Sequence, residues 1–146
     1  VANYVETLLI DEGEGAFNTR TFLQSDGVAG ELTNKSIIAG TELTPALVSG
    51  QFMSIWEIWY SLTNFSVKLS WMVNGSDVPF WTLTPSTDSR MKLHRFGGLI
   101  DYSGTTSDRK LVMSTKGFTA VTSYGSFVLR MRKHANTVTA PTVVGN

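Results

Sequence analysis

The sequence predicts an all-β chain: a single-domain antiparallel β-sandwich, jelly-roll-like, with extended N- and C-terminal arms. Three observations carry this reading. Apolar and polar side chains alternate with a period of two through several short runs, the pattern of a strand with one buried face. No segment sustains a helical i, i+3, i+4 stripe with caps. Charged residues are 16% of the chain and aromatics 11%, against about 25% charged in an ordinary soluble domain.

Taken in order, residues 4–10 and 18–24 read as strands, with the Gly-bearing acidic run Asp11-Glu12-Gly13-Glu14-Gly15 as the loop between them. Residues 41–50 suit one helical turn starting near Thr44, with Pro45 at its first position. The segment 53–61 follows, with Trp56, Ile58, Tyr60 and Leu62 on one face and Ile55, Glu57, Trp59 and Ser61 on the other. The clearest alternation is 64–73: Phe65, Val67, Leu69, Trp71 and Val73 fall on one face, Asn64, Ser66, Lys68 and Ser70 on the opposite one. These two runs are nearly adjacent and read as a hairpin joined around Leu62-Thr63-Asn64. Shorter pieces at 78–83 and 91–96, a weaker strand at 109–115 and a strong one at 124–133 complete a set of about eight. Many short strands with frequent turns are the mark of a sandwich or barrel.

The chain of 146 residues fits one domain and buries enough surface to fold without a metal or disulfide staple. The division expected is a sandwich over 1–133 and a C-terminal extension over 134–146. That extension is either frayed or pinned to a neighbour; it is rich in β-branched residues, and Val138, Val143 and Val144 suit strand addition to another copy's edge. The chain has no cysteine, which fits a reducing cytoplasm without excluding a particle assembled there. No run approaches the roughly 18 apolar residues of a membrane helix, and the opening residues lack the basic and apolar regions of a secretion signal.

Net charge is zero but unevenly spread. Residues 1–57 carry eight acids and two bases, residues 58–146 ten bases and four acids. This is either scatter over one mixed surface or an acidic N-terminal segment, with Asp11, Glu12 and Glu14 foremost, that docks on a basic region of a neighbour. A neutral balance argues against a nucleic-acid stripe.

Nothing in the sequence assembles a catalytic centre. Nucleophilic catalysis needs a base beside the nucleophile, and the two histidines, His94 and His134, stand in a basic run and at the start of the tail. Ser107-Asp-Arg-Lys110 matches Ser-x-x-Lys by letter but reads as a turn leading into a strand. Phosphate-loop, nucleophile-elbow and paired-cysteine patterns are absent. Asp11, Glu12 and Glu14 lack EF-hand spacing and read as a solvated turn; neither cofactor nor metal is expected. Asn34-Lys-Ser36, Asn64-Phe-Ser66 and Asn74-Gly-Ser76 match the glycosylation acceptor, which means little without a secretion signal. The aromatic surplus is the remaining lead. With Trp56 and Trp59 on opposite faces of one strand, one should face away from the core unless the strand is buried on both sides, and an outward one is an interface anchor or a sugar-stacking platform. Trp81 is a further binding candidate.

Residues 52–133 resemble a group of small proteins of marine tailed bacteriophages, cyanophages included. The likeness lies in the order of Ile55-Trp-Glu-Ile-Trp-Tyr-Ser61, Phe65-Ser-Val-Lys-Leu-Ser-Trp71, Arg95-Phe-Gly-Gly-Leu-Ile-Asp101 and Ser126-Phe-Val-Leu-Arg-Met-Arg-Lys133. The N-terminal third and the tail do not match. The resemblance implies a non-enzymatic virion structural protein, assembled in the host cytoplasm. A capsid decoration (cement) protein is favoured, bound to the major capsid protein and to copies of itself, with no nucleic acid or membrane. The alternatives are a tail or neck component, or a carbohydrate-binding module for host recognition.

Overall fold

The computed structural model describes residues 2–134, 142, 144 and 145. Among them the strands are β1 (Tyr4–Ile10), β2 (Ala16–Gln24), β3 (Lys35–Ala39), β4 (Phe52–Thr63), β5 (Ser66–Val73), β6 (Ser76–Leu83), β7 (Ser86–Lys92), β8 (Leu99–Ile100), β9 (Ser107–Lys116) and β10 (Tyr124–His134). They form two antiparallel sheets. One runs β1-β2-β10-β4-β7, with β8 beside the start of β4; the other runs β3-β9-β5-β6. Without β1 and β8, the orders β2-β10-β4-β7 and β3-β9-β5-β6 are those of a jelly roll.

Alternation builds each sheet. In β2, Phe17, Thr19, Thr21 and Leu23 turn inward; in β10, Phe127, Leu129 and Met131 do so; in β5, Val67, Leu69 and Trp71; in β9, Leu111 and Met113. These meet in one core between the sheets, which Ile58, Leu62, Phe65 and Phe118 join. Burying a side chain such as Leu or Phe in such a core stabilises by about 1.5–3 kcal/mol. Gly125 shows how closely β10 and β4 approach: a Cβ there would stand 2.5 Å from the Ser61 carbonyl oxygen. The β5–β6 hairpin closes on Asn74-Gly75, both at positive φ (50° and 80°), the two-residue turn that matches strand twist.

Several expectations are corrected. β4 and β5 are not a hairpin: β4 pairs with β10, β7 and β8, while β5 pairs with β6 and β9. The short link, with Asn64 at φ 68°, carries the chain from one sheet to the other, so both strands were foreseen and their pairing was wrong. Residues 4–10 form the strand read for them, and with all seven β1 residues in register against β2 it is the extended N-terminal arm that is shortened. Residues 41–50 hold no helix at Pro45; a 3-10 turn at Gly40–Glu42 precedes a cis Thr44–Pro45 bond. The expected strand at 91–96 ends at Lys92, where His94–Phe96 form a 3-10 turn. The short strand β3 carries too little pattern to have been foreseen.

His134, the first residue of the expected extension, belongs to β10. It is also held firmly: its ring stacks on Phe52 with centroids 4.4 Å apart, and Nε2 lies 2.7 Å from the Ser54 hydroxyl. Val138 and Val143 lie outside the described residues; Val144 is exposed and belongs to no strand.

Candidate interaction face

The register of β4 against β10 slips between Arg130 and Met131, which face Glu57 and Ile55. Trp56 is the extra residue of this bulge, and a bulge exchanges the faces of the strand on either side of it. Met53 and Ile55 point inward before it, Ile58 and Leu62 after it. Trp56 lies outside that inward set, beside Glu57 and Trp59. The expectation that Trp56 shares a face with Ile58, Tyr60 and Leu62 is thus wrong, because period-two counting cannot anticipate an inserted residue. Both tryptophans stand on the outside of the larger sheet.

Cross-strand register then sets their neighbours. One row across the sheet reads Leu8, Arg20, Val128, Trp59, Arg90; the next reads Ile10, Asn18, Arg130, Glu57, Lys92. The Arg90 guanidinium lies 4.9 Å above the Trp59 ring, and those of Arg130 and Arg132 lie 4.9 and 4.1 Å from the Trp56 ring. His94 meets Trp56 edge-on at 6.4 Å. Each cation–π contact is worth about 0.5–1 kcal/mol at an exposed site.

Glu57 organises this cluster. Its side chain is only 6% exposed and receives Arg90 at 2.7 Å on Oε2 and Arg130 at 3.1 Å on Oε1. Burial works to raise its pKa, but hydrogen bonds and charge from the two arginines outweigh burial and hold the carboxyl below its ordinary 4.5. The ionised carboxylate therefore fixes both guanidiniums above the indoles. Four of the five exposed aromatics among the described residues (Tyr4, Phe22, Trp59 and Tyr124) share this outer surface, and Tyr4 and Phe22 meet edge-on at 5.8 Å. A shallow hollow of about 130 Å³ beside Trp59 is lined by Ser61, Asp88, Ser126 and Val128 among others.

The other candidates sit elsewhere. Trp81 belongs to β6 in the smaller sheet and packs against the core, so it is not brought to Trp56 and Trp59. Glu12 is engaged within the chain: it accepts from the Thr44 amide and from Lys133 Nζ at 2.9 Å, and these bonds, the Thr44 one foremost, hold its pKa down. Asp11 accepts from Asn18, while Glu14 is exposed. The ion pairs Glu57–Arg90, Glu57–Arg130 and Glu12–Lys133 each join the acidic first part of the chain to the basic remainder. Part of the charge segregation in the sequence is therefore settled inside one molecule.

Ser107 is buried and donates to buried Asp101, while its oxygen accepts from the Arg109 amide; this clasp holds the start of β9. Among the described residues no group of three or more His, Cys, Asp or Glu is placed to hold a metal. The larger concavity, about 430 Å³, lies on the outside of the smaller sheet between Lys68, Lys116, Ser66, Thr82, Ser114 and Glu31. Its walls are lysine stems and hydroxyl-bearing side chains with no aromatic platform, so size does not make it the stronger site. Arg90, Arg130, Arg132 and Glu57 were not foreseen as a group. Arg130 and Arg132 at alternate positions of a strand were the available signal.

No protein-family profile matches the chain, and no curated protein is similar to it. Among solved structures it is similar to the CBM22-1–GH10 modules of the N-terminal endo-1,4-β-D-xylanase 10B of Clostridium thermocellum, complexed with xylohexaose. The match covers 96% of this chain and 26% of that one, at 9% identity and a TM-score of 0.36. A likeness that distant carries no argument about what this chain does.

Proposed function

We propose that this chain is a structural protein of a tailed-phage particle, a decoration protein that clamps the outer shell and binds the major capsid protein through the outside of its larger sheet. The supporting observation is that Trp56 and Trp59 stand together on that surface, each under an arginine that Glu57 orients. Trp, Tyr and Arg are the side chains that most often dominate binding energy at protein interfaces. The sequence resemblance over residues 52–133 supplies the setting. Many copies on one lattice act by avidity, so each contact need only be modest. The test is occupancy on shells prepared from particles lacking this protein. Trp59→Ala and Arg132→Ala should each lower apparent affinity by about tenfold or more while leaving the fold intact. Wild-type occupancy in both variants would defeat the reading.

A second reading rests on Trp59 itself, which is 40% exposed beside a hollow offering Ser61, Asp88 and Ser126. An indole bordered by hydroxyls and a carboxylate suits a sugar ring. Glycan-array binding that disappears in Trp59→Ala, with shell occupancy unchanged, would favour carbohydrate recognition.

A further inference from the structure

We propose that β1 is a homodimerisation edge, on which a second copy adds its own β1 antiparallel about a two-fold axis through Thr7. A strand at a sheet edge presents a row of backbone N–H and C=O groups, and proteins ordinarily guard such edges with charge, proline, bulges or brevity. The other edges here are guarded. β6 carries Pro79 and a register shift. β3 is five residues long, begins at Lys35 and is shifted between Ser36 and Ile38. β7 carries Asp88 at positive φ together with Arg90 and Lys92, and β8 has two residues. β1, Tyr-Val-Glu-Thr-Leu-Leu-Ile, runs seven residues in unbroken register against β2 with no proline and no bulge, and Glu6 is its one charge. Among the described residues no strand lies on its other side.

The side chains of β1 suit a second copy. With the axis through Thr7 and perpendicular to the sheet, Tyr4 faces Ile10 of the partner subunit and Glu6 faces Leu8 of the partner subunit on the outer surface. On the core side Val5 faces Leu9 of the partner subunit, and the two threonines face each other. No like charges are opposed and the apolar residues pair, the arrangement that stabilises an antiparallel ladder. The pairing would join the larger sheets of two copies edge to edge and place two Trp–Arg clusters on one continuous surface. It holds whether that surface binds a shell or a glycan.

The experiment is sedimentation of the purified chain over a range of concentrations, with the fold of each variant checked by near-ultraviolet circular dichroism. The wild type should dimerise reversibly. Leu8→Glu sets a carboxylate opposite Glu6 in two symmetric places and should weaken the dimer by about tenfold. Adding Glu6→Lys, to give E6K/L8E, turns both repulsions into attractions and should restore it. Should a variant not fold, hydrogen exchange on the wild type decides, since amides of residues 4–10 should gain protection as concentration rises. A wild type that stays monomeric overturns the proposal, including one whose β1 amides are protected at every concentration by its own chain. So does a dimer indifferent to Leu8→Glu, or one that the charge exchange fails to restore.

Discussion

On the outside of the larger sheet, Trp56 and Trp59 stand against arginines and Phe22 and Tyr124 are exposed; on the outside of the smaller one, β5, β6 and β9 present Ser66, Lys68, Thr82, Ser114 and Lys116. The inner faces of both sheets are alike, apolar and closed to water. Folding demands only those inner faces. What stands outside is free to vary, and a hydroxyl-and-lysine surface is the ordinary solution. The aromatic and arginine surface is the departure, held in order by one nearly buried carboxylate.

The seam that carries the departure tolerates least. Gly125→Ala pushes a methyl group against the Ser61 carbonyl at 2.5 Å and should cost about 2–3 kcal/mol by urea denaturation. Gly75→Ala, in the smaller sheet's hairpin, meets open space and only its positive φ resists, at about 1 kcal/mol. Equal losses at the two sites would break the contrast.

Next in size is the carboxylate. Glu57→Gln keeps the volume but leaves Arg90 and Arg130 without their counter-charge, a loss of about 1–2 kcal/mol because the arginines remain half in water. Asp77→Asn in the exposed Lys68–Asp77 pair should change stability by less than about 0.5 kcal/mol. The pH dependence follows the same asymmetry. Folded Glu57 holds a proton less tightly than the unfolded chain does, so its contribution is complete above the ordinary value of 4.5 and is lost as pH falls through the lower folded value. Wild type should therefore lose more stability than Glu57→Gln between pH 6 and pH 3, and parallel curves would remove Glu57 from the account.

Trp59→Ala should cost no more than about 1 kcal/mol of stability, since its main loss within the molecule is the Arg90 contact; a larger drop in Tm would make Trp59 a structural residue. Smallest is His134. Burial first, and Arg132 second, lower its pKa from 6.5, so the unfolded chain takes up the proton more readily. Stability from this group is complete above 6.5 and declines as pH falls through the lower folded value. A nuclear magnetic resonance titration of the ring should place its midpoint below 6.5, and a midpoint at or above it would contradict the burial seen against Phe52.

Much of this was legible before any coordinates. The inward residues of β5 and β10 were readable from alternation, because a half-buried strand must repeat every second side chain whatever its partners. The corner at Asn64 was misread as a hairpin turn, since a short polar link between two strands looks alike within one sheet or between two. The true two-residue hairpin, Asn74-Gly75, lay in view as a glycosylation match.

The candidate site was half legible. An outward tryptophan was foreseen at 56 or 59, but a single inserted residue, felt only in the register between β4 and β10, put both outside. Sequence alone determined most of the strand-forming segments, the sandwich class and the surplus of aromatics, because these rest on local periodicity and composition. Tertiary structure alone decided which strands are neighbours, that β1 is an edge, that Glu12 is claimed by Lys133, and that Trp56, Trp59 and three arginines from distant strands meet around Glu57. Those depend on pairings between residues far apart in the chain, and local periodicity carries no record of them.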